Sequence, residues 1–155
     1  MDKNMNENKN VVVVVDDNRI TTKLLTRYLE DGGYNVVVAY DGIDCLEKIQ
    51  CIEPENIICV LTDTMMPRLD GLDMTEKIRA DEKYKDISIV IVPNINSLLM
   101  QTNAIRSGAD EILVKPIEEV LLLAKIKIFA NLAELRQENR RLQDLINKLK
   151  NQKEA

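Results

Sequence analysis

Histidine is missing from the 155 residues. Its absence excludes imidazole metal sites, imidazole general bases and Ser–His nucleophile pairs. Tryptophan is missing too, and aromatics make up only 3% of the chain, too few for a platform that stacks nucleic-acid bases. Acidic residues (26) outnumber basic ones (21), for a net charge of −5, so the basic footprint of a nucleic-acid binder is lacking and no nucleic-acid partner is expected for this chain. No apolar run reaches the length of a membrane span, so no membrane association is expected either. The three cysteines, Cys45, Cys51 and Cys59, are odd in number and form no C-x-x-C pair. A disulfide framework or zinc site is therefore not indicated, and reduced, buried thiols in a cytoplasmic protein are expected. Residues 1–10 are polar and Asn-rich without an apolar core, which reads as a disordered tail and not as a signal peptide.

What the chain has is a regular alternation of apolar runs and amphipathic stretches. Val11 to Val15 is five β-branched residues with no polar alternation, the mark of a strand buried on both faces. Further strands are predicted over 34–39, 57–62, 87–92 and 111–114. Helices are predicted over 19–30 (with Ile20, Leu24, Leu25 and Tyr28 inward), 43–52, 72–80 with Asp70 as cap, 97–107, and from Ile117 to about Lys150. Strands alternating with helices in this way indicate an α/β domain with a parallel sheet and helices on both faces.

The stretch that organises the rest is 61–71, where an apolar strand runs into Asp63 and is followed by Pro67 and Asp70-Gly71. Asp63 falls at the C-terminal lip of strand three, Asp16 and Asp17 at the lip of strand one, and Lys115 at the lip of strand five. In a parallel sheet these lips share one edge, where ligands bind; in the flavodoxin-like order 2-1-3-4-5, strands one and three are neighbours. Carboxylates about 4 Å apart repel by roughly 4 kcal/mol per pair at an effective dielectric of about 20. A bound divalent cation removes that cost, and carboxylates with a carbonyl and waters suit Mg²⁺. Lys115 offsets further charge and can donate to an incoming oxyanion. A carboxylate beside a metal and a lysine can attack phosphorus, giving an aspartyl phosphate.

On these residues the chain resembles the receiver domain of two-component response regulators. The resemblance rests on Val13-Val14-Val15-Asp16-Asp17, on Asp63 with Met66-Pro67 and Asp70-Gly71, and on Ser107-Gly108-Ala109-Asp110 with Val114-Lys115-Pro116. It implies that Asp63 is the phosphoacceptor, fed by a sensor histidine kinase. It also implies that Asp17 binds Mg²⁺ directly, Asp16 largely through water and Met65 through its carbonyl, with Asp63 completing the set. Lys115 would contact the phosphoryl group, and the Lys115–Pro116 bond would be cis. A receiver over 11–133 is expected. It would be no turnover enzyme beyond self-phosphorylation and slow self-dephosphorylation. An aspartate-based phosphatase wants an acid two residues after its nucleophile, and Met65 stands there.

Two positions depart from the family pattern. Receivers usually place Thr or Ser at the end of strand four, where this chain has Pro93, and an aromatic on strand five, where it has Ile112. Asn94 or Ser97 is a candidate substitute for the missing hydroxyl. Beyond the receiver, Ile128, Leu135, Leu142 and Leu149 recur every seventh residue, with Leu132, Asn139 and Ile146 four after each of the first three. That is a coiled-coil seam, so the last helix is expected to extend over 134–155 and to dimerise in parallel. Such stalks join receivers to cyclase, phosphodiesterase or kinase domains, none of which is legible in 134–155. Two functions follow from this: a phosphorylation-controlled receiver relaying its signal through a dimeric stalk, or a non-switching receiver used as a dimerisation or scaffold module.

Overall fold

The computed structural model describes residues 9–154. The tail expected at 1–10 lies outside the described residues except for Lys9 and Asn10, which are exposed. The strands are β1 (Val11–Val15), β2 (Asn35–Ala39), β3 (Ile57–Thr62), β4 (Ser88–Ile91) and β5 (Glu111–Ile112). They pair in parallel in one sheet of order β2-β1-β3-β4-β5, the flavodoxin-like order. The helices are α1 (Arg19–Asp31), α2 (Gly42–Ile49), α3 (Gly71–Ala80), α4 (Leu98–Ser107) and α5 (Glu119–Lys153).

The unbroken Val run of β1 is buried throughout. Val11, Val13 and Val15 point into a core shared with Cys45, Ile49, Met74, Ile78 and Ala104, so α2, α3 and α4 cover that face. Val12 and Val14 point into the other, with Leu25, Leu29, Leu122, Ile126 and Phe129 from α1 and α5. Each such side chain removed from water stabilises the fold by roughly 1.5–3 kcal/mol, which is why the central strand carries no polar residue until Asp16.

Several boundaries differ from the expected ones. Helix α2 stops at Ile49, because Cys51 and Ile52 fold into a turn on Lys48 and Ile49 and a 3₁₀ turn at Pro54–Asn56 follows. Strand β5 is two residues long, although Leu113 and Lys115 continue to donate to Ile91 and Pro93. The buried face of α1 is Thr22, Leu25 and Leu29; Ile20 (80% exposed) and Leu24 instead line an open apolar groove of about 340 Å³ with Val92, Pro116 and Ile117. Not all cysteines are buried: Cys45 and Cys59 are, and burial pushes the Cys45 thiol up to about 12 and Cys59 higher still, but Cys51 is exposed.

The Ser107–Asp110 segment has a structural account. Gly108 ends α4 in the left-handed conformation, and Asp110 accepts from Ile89 N–H and from Arg79. Arg79 also donates to the carbonyls of Gly108, Lys85 and Ile87, so one guanidinium joins α3, the end of α4 and the start of β4.

Helix α5 has two distinct faces. Along one, Leu122, Ile126 and Phe129 are buried, Leu132 is half-buried against the same core, Arg136 reaches Ser88 and Gln137 donates to the Glu55 carbonyl at 2.6 Å. Contact with the sheet body thus runs to Gln137, four residues past the expected limit of 133. Along the other, Leu121, Ile128, Leu135, Leu142 and Leu149 are all exposed, and from Glu138 to Glu154 the helix is exposed all round.

Candidate functional site

The acidic edge is built by backbone pairing. Asp16 N–H donates to the Ala39 carbonyl at 3.1 Å and Asp63 N–H to the Val15 carbonyl at 2.9 Å, so both residues are held at the ends of their strands by continued ladder bonds. Carboxylate oxygens of Asp16, Asp17 and Asp63 lie within 4.8 Å of one another. Asp16 and Asp63 are buried; Asp17 is exposed.

The three carboxylates are engaged differently. Asp16 accepts from Asn18 N–H at 2.9 Å and from Lys115 Nζ at 2.6 Å. Asp63 accepts from Thr64 N–H at 2.8 Å, with Lys115 Nζ 3.4 Å from its other oxygen. Asp17 makes no ion pair or hydrogen bond with its carboxylate among the described residues, and it faces solvent. Lys115 thus crosses from β5 over β4 to reach both buried acids, the Lys115–Pro116 peptide being cis. Burial raises the Asp63 carboxyl above its ordinary value; the Thr64 N–H opposes the shift, Asp16 adds to it and Lys115 opposes it. Burial therefore disfavours the charged form of this acid in the fold.

The donor set suits a hard divalent cation: three carboxylates converge, one of them open to solvent. The fourth expected donor is the carbonyl of Met65, which accepts no hydrogen bond among the described residues; Met65 as a whole is 82% exposed. Oxygen donors of this kind, with room left for water, match Mg²⁺ better than any nitrogen- or sulfur-seeking metal.

Pro93 is buried directly after Val92 at the end of β4, and Ile112 is half-buried against the first core face. Ser97 is the N-cap of α4, its Oγ accepting from Met100 N–H at 3.1 Å. Asn94 is exposed beside the site. Of the seam residues, Ile128, Leu135, Asn139, Leu142, Ile146 and Leu149 are exposed, whereas Leu132 is half-buried against the body of its own domain.

Several residues around the site carry no clear signal in the sequence. Gly71 is legible as half of a turn, but it opens α3 against the Asp63 backbone, where a Cβ would overlap the Asp63 carbonyl oxygen. Arg68 and Asp41 form a two-point ion pair beside the acidic edge. Asp41-Gly42 carries a turn signal; nothing in the sequence pairs it with Arg68.

Known proteins resemble this chain in sequence and fold. A model of the response regulator receiver domain matches residues 12–127. The response regulator MprA of Mycobacterium ulcerans is 34% identical over 116 residues, covering 75% of this chain and 48% of its own length. Hybrid signal transduction histidine kinase D of Dictyostelium discoideum is 33% identical over 154 residues, 92% of this chain but 9% of that protein. The chain therefore spans at most about half the length of these relatives. Among solved structures, the Vibrio cholerae chemotaxis protein CheY4 superposes with a TM-score of 0.72 at 26% identity, over 78% of this chain and 98% of that one. The receiver domain of the Pseudomonas aeruginosa sensor kinase PA1611, with magnesium in its active-site cleft, gives a TM-score of 0.72 at 23% identity, over 79% and 98% of the two chains.

The raised Asp63 carboxyl makes a pH prediction in metal-free buffer. A carboxyl held above its unfolded value favours folding below that value, and the benefit is lost as pH rises through the folded one. Asp63→Asn is therefore expected to melt at a higher temperature than wild type at pH 7. The gap should narrow as pH falls through the carboxylate range, followed by calorimetry or circular dichroism. A variant less stable at pH 7 would contradict the assignment of the strain to Asp63.

Proposed function

The chain belongs to the response regulator receiver domain family, and on that premise we propose that Asp63 accepts a phosphoryl group from the phosphohistidine of a sensor histidine kinase. Mg²⁺ would be held by Asp16, Asp17, Asp63 and the Met65 carbonyl. The observation that carries this reading is the convergence of three carboxylates and Lys115 on one sheet edge, with Asp17 open to solvent.

In this reading the Asp63 oxygen that faces Lys115 attacks phosphorus as the P–N bond of the donor breaks; the electron pair of that bond stays on the departing imidazole, which takes up a proton. Thr64 N–H holds the other Asp63 oxygen and so fixes which one attacks. Lys115 moves from Asp16 toward the added phosphoryl oxygens, a short shift because it already lies between the two acids. Bound Mg²⁺ supplies charge neutralisation and orients the phosphoryl oxygens. Receivers in general are not turnover enzymes, and here Met65 supplies no acid or base to activate water. A cytoplasmic setting fits the free cysteines; no helix among the described residues is long and apolar enough to cross a membrane.

A second reading, a receiver whose phosphorylation moves little, is favoured by one observation: the residue that follows Val92 beyond β4 is Pro93, which has neither hydroxyl nor N–H to offer. The stalk supports a dimer in either case. Beyond Gln137 the helix stands in solvent with Leu142, Leu145, Ile146 and Leu149 about half exposed. An isolated helix of that length is marginal, and a second copy covers the stripe. In a parallel pair Asn139 meets its own copy, so its amide finds a partner in that register.

Intact mass after acetyl phosphate treatment is expected to show one added phosphoryl group with Mg²⁺, none with a chelator, and none in Asp63→Asn. An equal gain in Asp63→Asn overturns the assignment. Hydrogen exchange over 92–108 should change little on adding beryllofluoride if the second reading holds, and strong protection there restores the switching one. Sedimentation at micromolar concentration is expected to give a dimer, truncation after Gln137 a monomer, and Asn139→Leu a higher melting temperature with trimers admitted. A monomeric intact chain excludes the stalk.

A further inference from the structure

The loop between β3 and α3, residues 63–70, carries both Asp63 and Met65. It leaves the sheet edge without secondary structure, yet it is tied twice to the β2–α2 turn. Gly42 N–H donates to the Leu69 carbonyl at 3.1 Å, and a Cβ at position 42 would come within 2.6 Å of that oxygen, so the close approach requires glycine. Next to it, Arg68 Nε and Nη2 reach the two oxygens of Asp41 at 2.8 and 3.0 Å. Planar two-point pairing of this kind fixes direction as well as distance.

Both partners are held for the purpose. Asp41 caps α2, accepting from Asp44 N–H at 2.8 Å, and is buried. Arg68 sits at φ 64°, the left-handed region that a residue with a side chain adopts only when its surroundings demand it. The guanidinium itself is half exposed, with its charge on the surface. Solvent at the half-exposed Arg68 side screens the pair, so its two-point geometry on a left-handed backbone points to a positioning role beyond stability.

We infer that Asp41 and Arg68 are positioning residues for the metal: they lock the β3–α3 loop so that the Met65 carbonyl is presented in one conformation, without touching the ion themselves. This rests on the reading that the acidic edge binds Mg²⁺. The sign of the charge change makes the inference testable. Removing a positive charge near a cation site strengthens binding through the field alone. Loosening of the loop weakens it. In Arg68→Gly, which also suits the left-handed backbone, the two effects oppose each other.

Calorimetric titration of Mg²⁺ into the full chain, well below the melting temperature of each variant, separates them. Arg68→Gly is expected to raise the Mg²⁺ dissociation constant about tenfold, the range seen when groups that orient metal ligands are removed. Asp41→Asn, which keeps the helix cap, should do likewise, and the double variant should be no worse than either single one. Arg68→Lys, which keeps the charge but not the two-point grip, should fall between. Amide exchange over 64–70 should quicken in Arg68→Gly while β1 and β3 remain protected. Equal or tighter Mg²⁺ binding by Arg68→Gly overturns the inference alone. Failure of the wild type to take up Mg²⁺ overturns the metal reading and this inference with it.

Discussion

Asp16, Asp17 and Asp63 carry like charge at one end of one sheet, and the ammonium of Lys115 is the cation paired with the two buried ones. At the separations observed, each carboxylate pair repels by roughly 3–4 kcal/mol at an effective dielectric of about 20. A fold whose net stability is of the order of 5–15 kcal/mol does not keep such an arrangement for packing reasons. The rest of the structure is organised to hold it. Backbone ladder bonds fix Asp16 and Asp63, a glycine lets α3 start against the Asp63 backbone, and β5 delivers Lys115 from the far side of β4. A bound cation would relieve the charge that the sheet has already assembled.

The same sheet explains how the edge stays rigid. With both faces covered, β1 and β3 are buried throughout, and the loops at their ends start from packed strands. The loop that does leave the sheet, residues 63–70, is returned to it through Arg68 and Asp41. On the other side of the molecule, Arg79 unites α3, the end of α4 and the start of β4. Two arginines thus close two different openings in the α3 layer. Helix α5 separates its duties by face: one buries Leu122, Ile126 and Phe129, and the other leaves Leu121, Ile128, Leu135, Leu142 and Leu149 exposed at seven-residue spacing.

Residues whose role depends on their own chemistry and spacing are legible in the chain itself. The buried strand at Val11–Val15, the alternation of strands and helices, the sheet order and the acidic edge all follow from local pattern plus one topological rule. Boundaries are less legible where a neighbour decides them. Helix α2 ends early because the following turn folds back on Lys48 and Ile49. The inward face of α1 is Thr22, Leu25 and Leu29, although Ile20 and Leu24 are the more apolar choices, because the sheet and α5 fix which side of the helix is covered.

The sequence by itself determined the fold class, the four charged side chains of the site and the heptad rhythm of the last helix, since each is written in residue identity at fixed spacing. Tertiary structure alone decided the partners. Nothing in the chain order joins Arg68 to Asp41, 27 positions away, or Arg79 to Asp110, 31 away. Nor does the heptad pattern reveal that Leu132 is half taken up by its own domain or that α5 remains docked as far as Gln137. Long-range pairing depends on how elements pack after the chain has folded back on itself, and that geometry exists only in three dimensions.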